Sequence, residues 1–189
     1  MAKSSKTLTP VQVARKYEKD VISGKILGCE SLIGQCLRNQ RDLARSKDGD
    51  EGFAFEFSEK KANAVCRWFP AALQHSIGKN AGQPFELTPW QTFVVCQMFG
   101  WIHRETKARR FSKTYITLSR KQGKSTFASA IGLFMAGFDI NPTTNSPEAV
   151  SQVLLAAVKM EQARKVIYAE CVRMRQSSKA IKQLSEVKN

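Results

Sequence analysis

"ITLSRKQGKST", residues 116–126, is the stretch on which the reading of the chain turns. Its second half, Gly123-Lys124-Ser125-Thr126, matches the closing residues of the phosphate-loop pattern G-x-x-x-x-G-K-[ST]. The first half departs from that pattern: Leu118 stands where glycine is asked for, and Arg120 and Lys121 put two positive side chains inside the loop. A Gly-Lys-[Ser/Thr] triplet turns up by chance in roughly one chain in ten of this size, so context has to decide. A phosphate loop leaves a strand and enters a helix, so that backbone N–H groups and the helix N-terminus face the anion. Here a β-branched run, Tyr115 to Leu118, comes before it, and "TFASAIGLFMAGF", of helical composition, comes after.

That context gives the residues roles. Gly123 lets the backbone approach the phosphates with no Cβ in the way. Lys124 is suited to neutralising β- and γ-phosphate charge, and the Ser125 hydroxyl to ligating Mg²⁺. Thr126 continues the first helical turn. Ser119, Lys121 and Gln122 complete the candidate nucleotide contacts. Arg120 has two readings of equal standing on these grounds. It is either a cation that stabilises charge on a transferring phosphoryl group, or a surface arginine that meets solvent or DNA phosphate.

The rest of the composition fits an anionic partner. The chain has 189 residues, with 30 Lys and Arg against 16 Asp and Glu, a formal net charge of +14. Such an excess, spread rather than gathered in a tail, points to nucleic acid or nucleotide before a membrane surface. Five cysteines form no C-x-x-C pair and have only His75 and His103 to assist them, which argues against a zinc site and suits a reducing compartment. The apolar runs "FVVCQMFGWI" and "FASAIGLFMAGF" are too short to span a bilayer and read as buried helices.

Upstream, Thr9-Pro10-Val11-Gln12 spells a capping box, and Val13, Tyr17 and Val21 recur at helical spacing behind it. A second helix is expected from about Cys29 to Arg45. Its apolar side would carry Leu32, Ile33, Cys36, Leu37, Leu43 and Ala44, with Arg38, Arg41 and Arg45 elsewhere. Alternating Phe53, Phe55 and Phe57 read as a short strand or an extended segment. Ser58 opens a third helix to about His75, with Pro70 kinking or dividing it. "GKNAGQP", residues 78–84, is the expected boundary between a basic helical region, 1–84, and a second region, 85–189. Thr88-Pro89-Trp90-Gln91 repeats the capping logic and opens a helix that is apolar almost all round and therefore buried. A second strand is expected at about Val153 to Ala157, and a helix from about Lys159 to Arg175. The order strand, loop, helix, strand, helix predicts an α/β fold with an incomplete parallel sheet of the P-loop NTPase type, behind a mainly helical N-terminal region.

Several of these stretches, in order, resemble one family: the large terminase subunits of tailed bacteriophages, the ATP-driven motors that package viral DNA. Its loop typically lacks the first glycine and carries an early arginine, as "SRKQGKS" does here. "ISGKILGC" and "RNQRDLAR" resemble its N-terminal helices, "FELTPWQTFVVCQMFGW" the segment before its ATPase core. "RRFSKTYITLSRKQGKST" is similar to its first strand and loop, and "AAVKMEQARKVIY" to its second strand and helix. The likeness runs from about residue 20 to about 175. It implies an adenine-contacting role for Gln91, a catalytic role for Arg120 inside the loop, and phosphate and metal contacts for Lys124 and Ser125. Helix capping alone also selects a glutamine at this position, as Thr9 to Gln12 shows. The cofactors implied are ATP and Mg²⁺. The partners implied are double-stranded viral DNA, the small terminase subunit, the portal and a ring of further copies, in the host cytoplasm and away from membranes.

Hydrolysis also needs an acidic residue near Mg²⁺ and a group to orient the attacking water. After Ser125 the chain offers Asp139, Glu148, Glu161, Glu170 and Glu186. None ends a credible apolar strand: the run before Asp139 continues the helix entered from the loop, and "AIKQLS" before Glu186 is too polar for a buried strand. The expectation is the first part of a terminase that lacks the second acidic motif and the nuclease domain. Such a fragment binds ATP without turning it over efficiently. Two rivals stand beside it: a helicase-like P-loop motor on nucleic acid, and a non-enzymatic basic nucleic-acid-binding protein with a vestigial loop.

Overall fold

The computed structural model describes residues 7–50, 52–141, 146–147, 153–154, 156, 161 and 163–184. They divide into two compact units, each built from two stretches of chain. The first takes Met1–Arg67 and Leu87–Thr114, the second Trp68–Glu86 and Tyr115–Asn189.

The first unit begins with α1, Pro10–Ile22, closed by the capping box expected of its sequence. The Thr9 hydroxyl accepts from the Gln12 N–H at 3.3 Å, and the Gln12 side chain accepts from the Thr9 N–H at 2.9 Å. Its buried line is Val11, Ala14, Glu18 and Val21, so Val13 and Tyr17 lie beside the core line rather than on it. Helix α2, Glu30–Lys47, departs further from expectation: its buried residues are Cys36, Asn39 and Asp42, and Leu37 is 49% exposed. Polar residues hold that line because each has a partner there. The Asn39 amide donates to Glu18 Oε1 at 2.7 Å, while its oxygen accepts from Trp101 Nε1 at 2.9 Å. Asp42 pairs with Arg110 at 2.8 Å. Period alone cannot distinguish an apolar stripe from a satisfied polar one.

Strand β1, Phe55–Phe57, pairs antiparallel with β2, Trp101–His103, in the register Phe55↔His103 and Phe57↔Trp101. Between them run α3, Glu59–Ala72, and α4, Pro89–Gly100. Pro70 falls in the last turn of α3, where it removes a ladder hydrogen bond without dividing the helix. Helix α4 is buried on almost every side, from Gln91 and Thr92 to Phe99 and Gly100, as its apolar composition requires. At Gly100 a Cβ would stand 2.5 Å from the Phe57 ring and 3.1 Å from Ala62, so only glycine fits without repacking. Around the guanidinium of Arg110 stand the rings of Phe53, Phe55, Trp101 and Phe111, at 4.8–5.2 Å.

Glu18 makes the stability of this unit depend on pH. Burial pushes its carboxyl above the ordinary value, against the opposing pull of the Asn39 hydrogen bond and of Arg15 and Lys19. A carboxyl whose folded pKa is raised binds its proton more tightly in the native state. Its contribution is therefore full below the unfolded pKa and is lost as pH rises through the folded one. Glu18→Gln keeps an oxygen that can accept from Asn39 and should flatten this fall, making the variant the more stable protein above the window. Urea unfolding across the acid range checks it; an unchanged slope would contradict it.

In the second unit, α5, Lys124–Gly137, is the central helix, with Phe127, Ser129, Ala130 and Phe134 buried. The Trp68 and Phe69 rings lie 5.1 and 6.2 Å from that of Phe134, and Trp68 lies 4.8 Å from Phe138. A π-helical segment, Ala163–Tyr168, runs into α6, Ala169–Ser177, followed by the short α7, Lys179–Leu184. The helix expected from about Lys159 is thus present over its described positions, widened to π geometry at its start. Two residues each make up β3, Ile140–Asn141, and β4, Ser146–Pro147, paired antiparallel.

Helices with small antiparallel ladders make the described fold a mixed α and β one, and no parallel ladder occurs among the described residues. The strand expected at Tyr115–Leu118 is a correction: these residues lie outside any strand, and Tyr115 is 93% exposed. Strand propensity is expressed only through cross-strand neighbours, and this run has no ladder partner among the described residues. Of the second expected strand, Val153, Leu154 and Ala156 are outside any strand, and its other positions lie outside the described residues.

Candidate nucleotide-binding site

Residues 118–126 form a turn that delivers the chain into α5. Gly123 is the N-cap in the left-handed region, at φ 73° and ψ 19°. Lys121, two positions earlier, is left-handed as well, at φ 64°. A Cβ on Gly123 would meet nothing within 4 Å, so glycine is needed here for its backbone angle. The sequence had offered close approach as the reason; the geometry adds this second one.

The i→i−4 ladder of α5 starts with the Phe127 N–H, which donates to the Gly123 carbonyl at 2.9 Å. Ahead of it the N–H groups of Lys124, Ser125 and Thr126 open the helix, and no side chain caps them. Three orphan donors at the positive end of a helix, behind a left-handed turn, make a concavity that favours an anion.

Side chains reinforce the sign. Arg120, Lys121 and Lys124 are exposed around the turn, Ser119 and Gln122 beside them, and Ser125 and Thr126 are half-buried in the first turn. Arg120 and Lys121 make no hydrogen bond or ion pair among the described residues. The Lys124 ammonium reaches back across the loop and donates to the Leu118 carbonyl at 2.5 Å. The candidate contacts from Ser119 to Thr126 are thus drawn together on one short turn. The residues present fit a phosphate chain: the donors are backbone N–H groups and cations, and among the described residues no carboxylate pairs with Arg120, Lys121 or Lys124.

Gln91 belongs to the other unit, in the first turn of α4. Its side-chain oxygen accepts from the Thr88 N–H at 2.8 Å and from the Thr88 hydroxyl at 2.9 Å, so capping occupies that atom. For a metal the chain offers Ser125 Oγ. No group of three or more His, Cys, Asp or Glu side chains that could hold an ion occurs among the described residues.

Of the acidic residues after the loop, Asp139 comes just past the end of α5, so the apolar run before it is helix, as expected. Glu161 pairs with Lys165 at 3.4 Å. Glu170 is buried and committed, accepting from the Ser76 hydroxyl at 2.6 Å and from Arg173 at 2.6 and 3.0 Å. Glu148 and Glu186 lie outside the described residues.

One residue at the site is not marked by any pattern in the sequence. Ser129, fully buried on α5, donates its hydroxyl to the Ile167 carbonyl at 3.0 Å, and its own carbonyl accepts from the Cys171 thiol at 3.7 Å. The available signal was a serine four positions after Ser125, alone in an apolar helix.

Among the described residues no helix is long and apolar enough to cross a membrane. A family model described as "Terminase large subunit, ATPase domain" matches residues 89–189, from the first turn of α4 through the loop and α5 onward. No curated protein and no solved structure matches the chain.

Proposed function

The chain belongs to the terminase large-subunit ATPase family, and from that premise we propose that residues 118–126 bind ATP with Mg²⁺ to drive translocation of viral DNA into a procapsid. Membership assigns the chain to phage DNA packaging and to a nucleotide-binding ATPase region. The observation that carries the finer reading is the open N-terminus of α5: Gly123 left-handed at its cap, three uncapped N–H groups, and Lys124 beside them.

In this reading Gly123, Lys124, Ser125 and Thr126 hold the phosphates through backbone N–H groups. The Lys124 ammonium leaves the Leu118 carbonyl for the β- and γ-phosphate oxygens, and Ser125 Oγ is the chain's ligand to Mg²⁺, which would offset phosphate charge. Ser119, Lys121 and Gln122 line the turn. Arg120, exposed on the loop, is the candidate for stabilising charge on the transferring phosphoryl group. Gln91 is proposed as the adenine contact, a role that has to coexist with its capping hydrogen bonds. The ATPase region, 85–189, comes after a basic helical region, 1–84. A parallel sheet of the P-loop type is part of the proposal. Double-stranded viral DNA, the portal, the small terminase subunit and further copies in a ring are the partners, met in the host cytoplasm.

Catalysis is a separate matter from binding, because no described carboxylate stands at the loop. The 189-residue chain should bind ATP but release phosphate at the uncatalysed background. Steady-state phosphate release, with and without Arg120→Ala, checks this. Turnover above background that falls in the variant would mean that an acidic group reaches the loop after all.

A further inference from the structure

We infer that Ser129 is a positioning residue for nucleotide binding, fixing the loop's helix against the π-helical segment; this rests on the reading of residues 118–126 as the ATP site. A phosphate site made of backbone N–H groups works only if the helix that carries them is held still, since the donors have no rotamers with which to follow the ligand. Helix α5 starts at Lys124, within the loop itself, so any rotation or slide of α5 moves the donors of Lys124, Ser125 and Thr126 directly.

Two hydrogen bonds fix α5 at one point. Ser129 lies one turn below Ser125 on the same face of the helix. Its hydroxyl donates to Ile167 and its carbonyl accepts from Cys171, so a single residue gives and receives across the contact. Apolar packing by Phe127, Ala130 and Phe134 buries the helix but defines its register less sharply than a directional bond does.

The acceptor is unusual in its own right. Ile167 belongs to the π-helical segment Ala163–Tyr168, and its carbonyl, with two lone pairs, accepts the Ser129 hydroxyl. Short π segments of this kind recur at functional sites. The anchor is also braced from behind: on α6 the buried Glu170 carboxylate is held by Ser76 and Arg173. Loop, α5, π segment and α6 thus form one connected set of contacts, with Ser129 at the joint nearest the nucleotide.

Removing the Ser129 hydroxyl should loosen the loop without unfolding the chain, since alanine nearly fills the same space. In the 189-residue protein, Ser129→Ala should weaken binding of a fluorescent ATP analogue with Mg²⁺ about fivefold, the worth of one ordinary hydrogen bond. Without nucleotide, amide hydrogen exchange across residues 118–130 should speed up by a similar factor, while far-UV circular dichroism stays as in wild type. Ser129→Cys, which keeps a donor of nearly the same size, should recover part of both effects; a purely structural serine would shift melting and leave affinity and loop exchange alone. Wild-type affinity and wild-type loop exchange in Ser129→Ala would overturn the inference and leave the ATP site standing. A wild-type chain that binds no nucleotide, no better than Lys124→Ala, would overturn both.

Discussion

Lys124→Ala should lower the affinity for ATP with Mg²⁺ by about two orders of magnitude while leaving the fold as it is. The side chain is exposed and among the described residues its one hydrogen bond is to the Leu118 carbonyl, so little of the described structure depends on it. In the bound state the same ammonium faces phosphate oxygens, and a charge-assisted hydrogen bond of that kind contributes about 1.5–3 kcal/mol. The loss should fall mostly on affinity for the triphosphate, and adenosine binding should change little. Lys124→Arg tests the geometry rather than the charge: a planar guanidinium on a longer stem should recover only part of the binding. Isothermal titration of wild type and both variants, with thermal melts as the control for folding, decides it. Equal affinities in wild type and Lys124→Ala would remove the loop from the account and favour the basic, non-enzymatic nucleic-acid binder.

The largest stability effect is expected in the other unit, at Asp42. This carboxylate is 2% exposed and pairs with Arg110, whose guanidinium is set among four aromatic rings. Asp42→Ala leaves that half-buried cation without its anion, and since removing one partner of a fully buried pair destabilises by about 3–5 kcal/mol, a loss of about 2–3 kcal/mol is expected here. The rings soften the loss only in part, since a cation over an aromatic face is worth roughly 0.5–2 kcal/mol. Replacing both partners, as Asp42→Leu with Arg110→Met, should restore most of the stability, because the burial of charge disappears together with the pair. Urea unfolding of the single and double variants gives the comparison. A double variant no more stable than Asp42→Ala would mean that the pair contributes shape as well as charge.

Local features of the chain were legible in its sequence where the physics is local. The Thr-Pro-x-Gln spellings at Thr9 and Thr88 specify caps through a hydroxyl, a fixed φ and a glutamine three residues on, and both caps form. The glycine at the head of α5 was legible as part of the loop pattern, while its left-handed N-cap angle came from the structure. What failed to show depends on partners far along the chain. Asn39 and Asp42 are buried because Glu18, Trp101 and Arg110 come to meet them, and nothing within α2 announces that. Ser129 is the same case: its importance lies in a carbonyl 38 residues away. The run Tyr115–Leu118 has strand composition, yet composition does not form a strand when no neighbour is paired with it.

The candidate site divides along the same line. Residues contiguous in sequence, from Ser119 to Thr126, were picked out as candidates by pattern and lie together on one turn. The acidic group that catalysis requires is a long-range partner, and no described residue supplies it at the loop. Gln91 shows the opposite hazard, a residue whose cap alone explains its identity and which nucleotide contact has to share.

The central claim, that the head of α5 receives the phosphates of ATP, is met most directly by following backbone amides during titration. In a ¹⁵N-labelled chain, the Gly123, Lys124 and Ser125 resonances should move saturably as ATP with Mg²⁺ is added, and should stay in place with adenosine. Nucleotide binding that leaves those three amides unmoved, or no binding at all, would contradict the account.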